Sequence, residues 1–415
     1  MTYPDSVKFL YTLGNEIKTA KLGLEAMLEL MQELGQPQDR LRIIHVAGTN
    51  GKGSTCAMIE AGLRAAGYKT GLYTSPHLME PTERIQIDGV PVTAEEFRQA
   101  FDTVHQAAKR LEAGERLEHH PTYFETVTAM AFVLFAAHKV DVLVCETGLG
   151  GRLDATNIVR PELCVITAID FDHEQYLGNT IEKIAGEKAG IIKEGVPVVC
   201  AAQRDEARQV IETRARARKA RFIDTRGWPV TNLTLTSSGS TYDARDLHVE
   251  CPLAGEHQVE NSLTAAVALA QFNVSPAGIA RTVWPGRLER LSAYPEIIAD
   301  GAHNPAGARS LAAYIERFYK GRPIWLIYGT MRDKAVDEIA TLLFPYAQRI
   351  LVTAPESQRA LRPESLRLAF PEQQIEVAAD VVEAIAVARR ELPEGGVVFI
   401  TGSLYLVGEA RRALL

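Results

Sequence analysis

HVAGTNGKGST, residues 45–55, decides how the rest of the chain is organised. An apolar run, Leu41 to Val46, precedes it, and apolar residues at helical spacing follow it through Ala66. The expected local structure is strand, glycine-rich turn, helix. Gly48, Gly51 and Gly53 permit backbone angles and close approach that a Cβ blocks. From Asn50 to Ser54 the backbone N–H groups of a helix start would face outward, with the positive end of the helix dipole behind them. Lys52 adds a mobile cation. Ser54 and Thr55 add hydroxyls that either cap the helix or reach a metal. These properties suit a polyphosphate. The loop departs from G-x-x-x-x-G-K-[ST], because Val46 stands where the first glycine would be and Gly53 where the hydroxyl would be. Taken alone, it also reads as an ordinary glycine turn.

Outward from this loop, the pattern alternates between β and α. Residues 5–35 read as two short helices broken near Lys21 to Gly23, with Val7, Leu10, Leu13, Ile17 and Leu22 on apolar faces. After the loop come a strand at Lys69 to Tyr73, a polar segment TSPHLMEPTERIQIDG (74–89), and a helix at 94–113 with acids in its first turn. PTYFETVTAMAFVLFAAHKV (121–140) is apolar nearly all round and predicts a buried helix. Val140 to Cys145 and Leu163 to Ile169 are β-branched runs of the kind found in buried parallel strands. A helix over Thr180 to Lys193, a strand–helix–strand over 197–223, a β-hairpin over 230–250 and a helix in 254–272 follow. Pro285 and Gly286 interrupt the pattern within WPGRLERL (284–291), and a new alternation begins at Glu296. The expected fold is α/β: an N-terminal nucleotide-binding domain with a parallel-sheet core (1–286) and a smaller C-terminal doubly wound α/β domain (287–415).

Composition narrows the function classes. The chain has 415 residues, 46% of them hydrophobic, and a formal charge of −7, enough apolar content for two domain cores. No long basic tract favours nucleic acid, and RARARK (214–219) reads as a solvated helix face. The five cysteines are scattered without a CxxC pair, which argues against a disulfide framework or zinc cluster and suits a reducing cytoplasm. The N-terminal residues lack a signal-peptide core, and no apolar run reaches the roughly 18 residues of a membrane span. A cytoplasmic monomer with no membrane partner is expected.

Polar residues collect where the apolar runs end. Glu146 closes one run, immediately before TGLGGRLDATN; Asp170-Phe171-Asp172-His173 closes another; DGAHNP carries Asp300 and His303 after a third. Open parallel sheets bind ligands at such strand ends. Each residue also has a plain reading: Glu146 as a salt-bridged loop acid, Ser75 as a turn cap, His173 as a hydrogen-bonded strand end, and Lys188 as a solvated helix lysine.

The glycine loop, TSPHLMEPTERI, ETGLGGRLDATN, DFDH, EKAGI, HQVEN and DGAHNP together carry a specific resemblance. In that order and over nearly the whole chain, the sequence resembles the folylpolyglutamate synthases of the bacterial type that are also dihydrofolate synthases, within the Mur ligases. The resemblance implies a Mur-ligase-type P-loop ATPase domain, a C-terminal glutamate-ligase domain, and ATP-dependent amide formation between a folate or dihydropteroate carboxylate and L-glutamate. Asn50, Gly51, Lys52, Gly53 and Ser54 would hold the nucleotide phosphates. Asn261, Arg287 and Asp300 would complete the nucleotide contacts, and His303 would act with Lys52 and Lys188 in catalysis. Ser75, Glu146 and His173 would hold magnesium, in two positions. Lys188 would be carbamylated, as is the matching lysine of the family. Gly23, Leu24, Thr122, Phe124, Asp154 and Ala155 would line the pteroate pocket, with Phe124 stacking on the ring and Asp154 accepting from its amino group. Phe124 is also readable as a core aromatic. Tyr328 to Lys334 resembles the family's GxxxDKD region but places Ala335 where an acid is common.

Four alternatives bound this reading. A P-loop kinase or motor would need the strict phosphate-loop pattern and lack the DGAHNP domain. A cell-wall Mur ligase is expected to carry a further N-terminal domain, for which the residues before the loop are too few. A non-catalytic binding module would not need the Lys52, Ser75, Glu146 and His173 set. A synthase restricted to polyglutamylation differs only in its acceptor.

Overall fold

The computed structural model describes residues 1–14 and 23–415. Ile17, Lys21 and Leu22 lie outside the described residues. By compactness the chain forms two units, one from residues 1–232, 242–250 and 260–282, the other from residues 233–241, 251–259 and 283–415.

The first unit is built on an eight-stranded sheet. Its strands are β1 (Ile43–Ala47), β2 (Thr70–Tyr73), β3 (Ile85–Ile87), β4 (Val90–Pro91), β5 (Val142–Glu146), β6 (Leu163–Ile166), β7 (Val198–Cys200) and β8 (Phe222–Asp224). They lie in the order β4-β3-β2-β5-β1-β6-β7-β8. All pairings from β2 to β8 are parallel, and β3 and β4 add an antiparallel edge. Every residue of β1 and β5 is buried, as both faces of a parallel sheet are covered by crossover helices. The register sets Val46 opposite Glu146 and Ala47 opposite Ile166. The loops that follow β1, β5 and β6 therefore leave the sheet side by side.

Local chemistry explains the helix boundaries. Helices Ala94–Ala113 and Tyr123–His138 start at reciprocal capping boxes, Thr93 with Glu96 and Thr122 with Glu125. The second is buried on nearly all sides, as its composition predicts. Helix Lys52–Ala65 starts at Gly51, whose φ of +82° suits glycine.

Three expectations are corrected. The strand expected to reach Ile169 stops at Ile166, and the helix expected to reach Lys193 stops at Ala189, before Gly190. The expected hairpin over 230–250 is a three-stranded sheet of β9 (Val230–Thr236), β10 (Gly239–Ala244) and β11 (Leu247–Cys251), in the order β11-β10-β9. A second turn at Arg245 and Asp246, with Arg245 at φ +54°, supplies the extra strand.

The second unit carries a six-stranded sheet of β12 (Glu289–Ala293), β13 (Glu296–Ala299), β14 (Ile324–Tyr328), β15 (Arg349–Val352), β16 (Ile375–Val377) and β17 (Val397–Thr401). The order β12-β13-β17-β14-β15-β16 is parallel except at β12. The alternation expected from Glu296 onward is present; β12 is an addition, an antiparallel edge in a stretch whose Pro and Gly had suggested only a break. Tyr319 packs edge-on against Phe399 at 5.2 Å in the core of this unit. All five cysteines are buried and free. Among the described residues, no helix is long and apolar enough to cross a membrane.

Candidate active site

The loop after β1 is fastened to the segment after β6. The N–H groups of Thr49 and Asn50 donate to Ala168 O at 2.9 and 3.2 Å, and Thr49 Oγ1 donates to Asp170 O at 3.0 Å. Thr167 Oγ1 donates to Asn50 O at 2.8 Å. Gly48 is obligatory here: a Cβ at this residue would lie 1.8 Å from Thr167 Oγ1. At Gly51 a Cβ would lie 2.1 Å from Asn261 Oδ1, so the Asn261 amide stands against the loop, from within helix His257–Ala270. Gly51 has no side chain to cap the helix behind it, and the start of such a helix suits an anion.

Three functional groups meet at the carboxyl ends of β1, β2 and β5. Lys52 Nζ donates to Thr49 O at 3.3 Å and lies 3.8 Å from Glu146 Oε1. Glu146 is buried, and its Oε2 accepts from the Ser75 N–H at 3.1 Å. A cation, a buried carboxylate and a serine therefore share one place. Lys188, from helix Ile181–Ala189, is buried and donates to Gly48 O at 2.8 Å. Burial, and after it the charge of Lys52, pulls the Lys188 pKa down to about 7, against an opposite pull from Asp172, Asp154 and Glu187.

His173 occupies a left-handed position, φ +53°, at the start of a short helix, Glu174–Leu177. Its Nε2 is 3.8 Å from Asp172 Oδ1. Among the described residues, no three His, Cys, Asp or Glu side chains are grouped as a metal-ligand set. The donor chemistry at Glu146 and Ser75 nevertheless fits magnesium, which takes oxygen ligands, keeps several waters and needs only one or two carboxylates beside phosphate oxygens.

The residues expected at the pteroate pocket have mixed placements. Phe124 is half-buried, 6.3 Å from the Tyr73 ring, and a Cβ on Gly148 would lie 2.4 Å from its Cζ. Thr122 is committed to its capping box, with Oγ1 donating to Glu125 Oε2 at 2.7 Å. Ala155 is buried in the turn Ala155–Ile158. Gly23 and Leu24 precede helix Glu25–Glu33, and Leu24 O accepts its first helical bond, from Leu28 N–H at 2.8 Å. Asp154 is nearly sealed, 5% exposed. Its Oδ2 accepts from Leu149 N–H at 2.8 Å, and its Oδ1 from the Thr156 N–H at 3.1 Å and hydroxyl at 2.5 Å. Burial raises its pKa against the pull of those hydrogen bonds. The carboxylate thus spends most of its acceptor capacity on the protein. Two partners in this network were missed from sequence, Thr156 and the buried His45 behind it. The available signal was one imidazole among the apolar residues of β1.

In the second unit, Arg287, Asp300 and His303 form a cluster of their own. Asp300 follows β13 and is buried; its Oδ2 accepts from Leu288 N–H and its Oδ1 from Ala302 N–H, both at 2.9 Å. A Cβ on Gly301 would lie 2.4 Å from Arg287 Nη1, so the guanidinium rests on that glycine. His303 Nδ1 donates to Gly301 O at 2.8 Å, which places the ring proton on Nδ1. Asp333, in the segment resembling GxxxDKD, is held by Arg359 at 2.6 Å.

A glycine loop after a central strand of a parallel sheet, with a lysine and a buried carboxylate beside it, is an arrangement suited to a nucleotide's phosphates. Residues 46–269 match the Mur ligase middle domain, and residues 286–404 match the Mur ligase glutamate ligase domain. The chain is thus an ATP-dependent ligase of the Mur type. The dihydrofolate synthase/folylpolyglutamate synthase of Bacillus subtilis (strain 168) is 37% identical, over 95% of this chain and 95% of its own length. A structure of Mycobacterium tuberculosis folylpolyglutamate synthase complexed with ADP matches with a TM-score of 0.91 and 33% identity, over 99% of both chains. A folylpolyglutamate synthase complexed with AMPPCP and folate matches over 100% of both chains, with a TM-score of 0.86 and 34% identity. The chain belongs to the dihydrofolate synthase/folylpolyglutamate synthase family.

Proposed function

We propose that this chain joins L-glutamate in amide linkage to the carboxylate of a tetrahydrofolate, and also to dihydropteroate, through an acyl phosphate made from ATP. The observation that carries the reading is the meeting of Lys52, Glu146 and Ser75 beside a glycine loop to which Lys188 is tied. A carboxylate cannot form an amide until one oxygen becomes a good leaving group. Transfer of the γ-phosphoryl group to that oxygen supplies it, with ADP leaving. The amine of glutamate then attacks the carbonyl carbon, loses a proton, and inorganic phosphate departs.

Each residue has a part in this scheme. Backbone N–H groups from Asn50 to Ser54 bind phosphate oxygens, and Lys52 follows the charge as it moves to the departing oxygen. Asn261 contacts the base; Arg287 and Asp300 contact phosphate and ribose, and His303 approaches the phosphates. Glu146, Ser75 and His173 are assigned to magnesium, which when bound neutralises phosphate charge. Two ions are proposed. A lysine titrating near 7 is partly neutral at physiological pH and can add to carbon dioxide, forming an N–C bond and releasing a proton. Carbamylated Lys188 is therefore proposed as a further anionic group of the site. On the acceptor side, Phe124 provides the ring face, and Gly23, Leu24, Thr122, Asp154 and Ala155 shape the pocket. The folate held by the AMPPCP-bound relative supports an acceptor of this class.

One assay series tests the reading: ATP, magnesium and labelled glutamate with either dihydropteroate or tetrahydrofolate. Label incorporation with both acceptors, with stoichiometric phosphate release, is expected. Incorporation with tetrahydrofolate alone would restrict the chain to polyglutamylation. Phosphate release without any glutamate incorporation would overturn the proposal.

A further inference from the structure

We propose that His45 and Thr156 are positioning residues for the acceptor pocket, acting through Asp154 on the turn formed by Gly148 and Leu149. The inference rests on the acceptor site assigned above and names residues that assignment does not contain.

The geometry is a continuous buried chain. His45 Nε2 lies 2.8 Å from Thr156 Oγ1, which lies 2.5 Å from Asp154 Oδ1. Asp154 Oδ2 takes the Leu149 N–H at 2.8 Å. Gly148, next in the turn, is the residue against which the Phe124 ring rests. His45 and Thr156 are 0% exposed, so water does not compete for these bonds. The chain runs from the centre of the sheet to the ring face proposed for the acceptor.

Hydrogen counting fixes its direction. The Thr156 hydroxyl has one hydrogen, and it is directed at Asp154 Oδ1. The hydroxyl therefore donates to Asp154 and accepts from His45, whose proton sits on Nε2. His45 Nδ1 has no partner among the described residues, consistent with a bare ring nitrogen. Burial, and then the charge of Lys193, holds the imidazole pKa down at about 3, so the ring stays neutral and keeps this single tautomer.

An imidazole is an expensive choice for this place. The other β1 residues, Ile43, Ile44, Val46 and Ala47, are apolar, and an apolar residue at His45 would avoid the desolvation of a polar ring. What the ring adds is a donor that orients the Thr156 hydroxyl. Without it that hydroxyl can rotate, and Asp154 loses a fixed donor on one oxygen. The carboxylate then holds the Leu149 amide less rigidly, and the glycine under Phe124 moves with it.

Steady-state kinetics of paired variants of the full chain test the proposal, with ATP and tetrahydrofolate as the varied substrates. Thr156→Val removes the hydroxyl and keeps the shape; it is expected to raise the acceptor KM about ten-fold, with the ATP KM changed less than about two-fold. Thr156→Ser is expected to restore the parent values. From the other end, His45→Leu should follow Thr156→Val, while His45→Gln, which retains a donor, should fall close to the parent. This second pair decides the matter if Thr156→Val does not fold. Equal effects on both KM values, or a drop in melting temperature with no change in acceptor KM, would overturn the proposal. Asp154→Ala separates the two levels. If it leaves the acceptor KM unchanged, the acceptor-site assignment itself fails. If it raises that KM while the Thr156 and His45 variants do not, only the positioning chain fails.

Discussion

Replacing Glu146 with Gln keeps the side chain's shape and removes one negative charge from the centre of the site. At 3.8 Å from Lys52, and with an effective dielectric of about 20, the gross attraction lost is about 4 kcal/mol. Only part of this becomes lost stability. Lys52 is 16% exposed and keeps its bond to Thr49 O, and the glutamine amide oxygen can still accept from the Ser75 N–H. The expected destabilisation is therefore about 1–3 kcal/mol, less than the ~3–5 kcal/mol of breaking a fully buried pair. A melting experiment would read it as about 2–4 °C per kcal/mol. Function should divide in two. Lys52, no longer neutralised, still attracts phosphate, so calorimetric binding of ADP in EDTA is expected to hold or tighten. The magnesium proposed for this site would lose its carboxylate, so glutamate incorporation is expected to fall by about 10²–10³-fold, the scale of losing one preorganised electrostatic group. Loss of ADP binding along with turnover, in a variant that is still folded at the assay temperature, would refute the reasoning, because Lys52 would then depend on Glu146 to serve as a phosphate group.

Lys188 makes a pH prediction. Its pKa is pulled down to about 7, so the cost of burying its charge is fully present below that pH and is relieved as pH rises toward the ordinary lysine value. In carbon-dioxide-free buffer, Lys188→Met should melt higher than the parent at about pH 6 and lose that advantage steadily as the pH rises toward about 10; a pH-independent gap would reject this. With bicarbonate and magnesium supplied, a high-resolution density map should show a carboxylate on Lys188 Nζ, and a bare ammonium with metal bound would reject carbamylation. Gly148→Ala places a Cβ 2.4 Å from Phe124 Cζ, so the acceptor KM should rise with the ATP KM unchanged; equal rises would remove Phe124 from the acceptor site. Gly62→Ala places its Cβ 2.4 Å from Leu269 Cδ1, away from the loop; overpacking should cost about 1–3 kcal/mol in stability, with both KM values unaffected.

What could be read from the sequence follows from how local each signal is. The capping boxes at Thr93 and Thr122 lie within one helical turn, and the helices they start were expected at the right places. The glycine loop announced itself because its glycines, lysine and hydroxyls are contiguous. β11 and β12 were missed because each is short, sits beside a turn, and owes its existence to a pairing partner rather than to its own pattern.

The pairing of Lys52 with Glu146 was not legible from spacing, since it depends on β1 and β5 lying in register, Val46 opposite Glu146. The two aspartates at the strand ends show a different limit. Asp154 and Asp300 both read as ligand carboxylates, yet each accepts from the N–H two residues ahead, at Thr156 and at Ala302. That spacing is the signature of an aspartate turn and was present in DATN and DGAH. A carboxylate can be required at a site because it builds the turn that other residues use. For Asp154 this changes what substitution should do. Asn keeps an acceptor for the Leu149 N–H but holds it less strongly, whereas Ala leaves that buried amide unpaired. If Asp154 acts by holding the turn, Asp154→Asn should raise the acceptor KM far less than Asp154→Ala. If it binds the acceptor's amino group through its charge, the two variants should be about equally impaired.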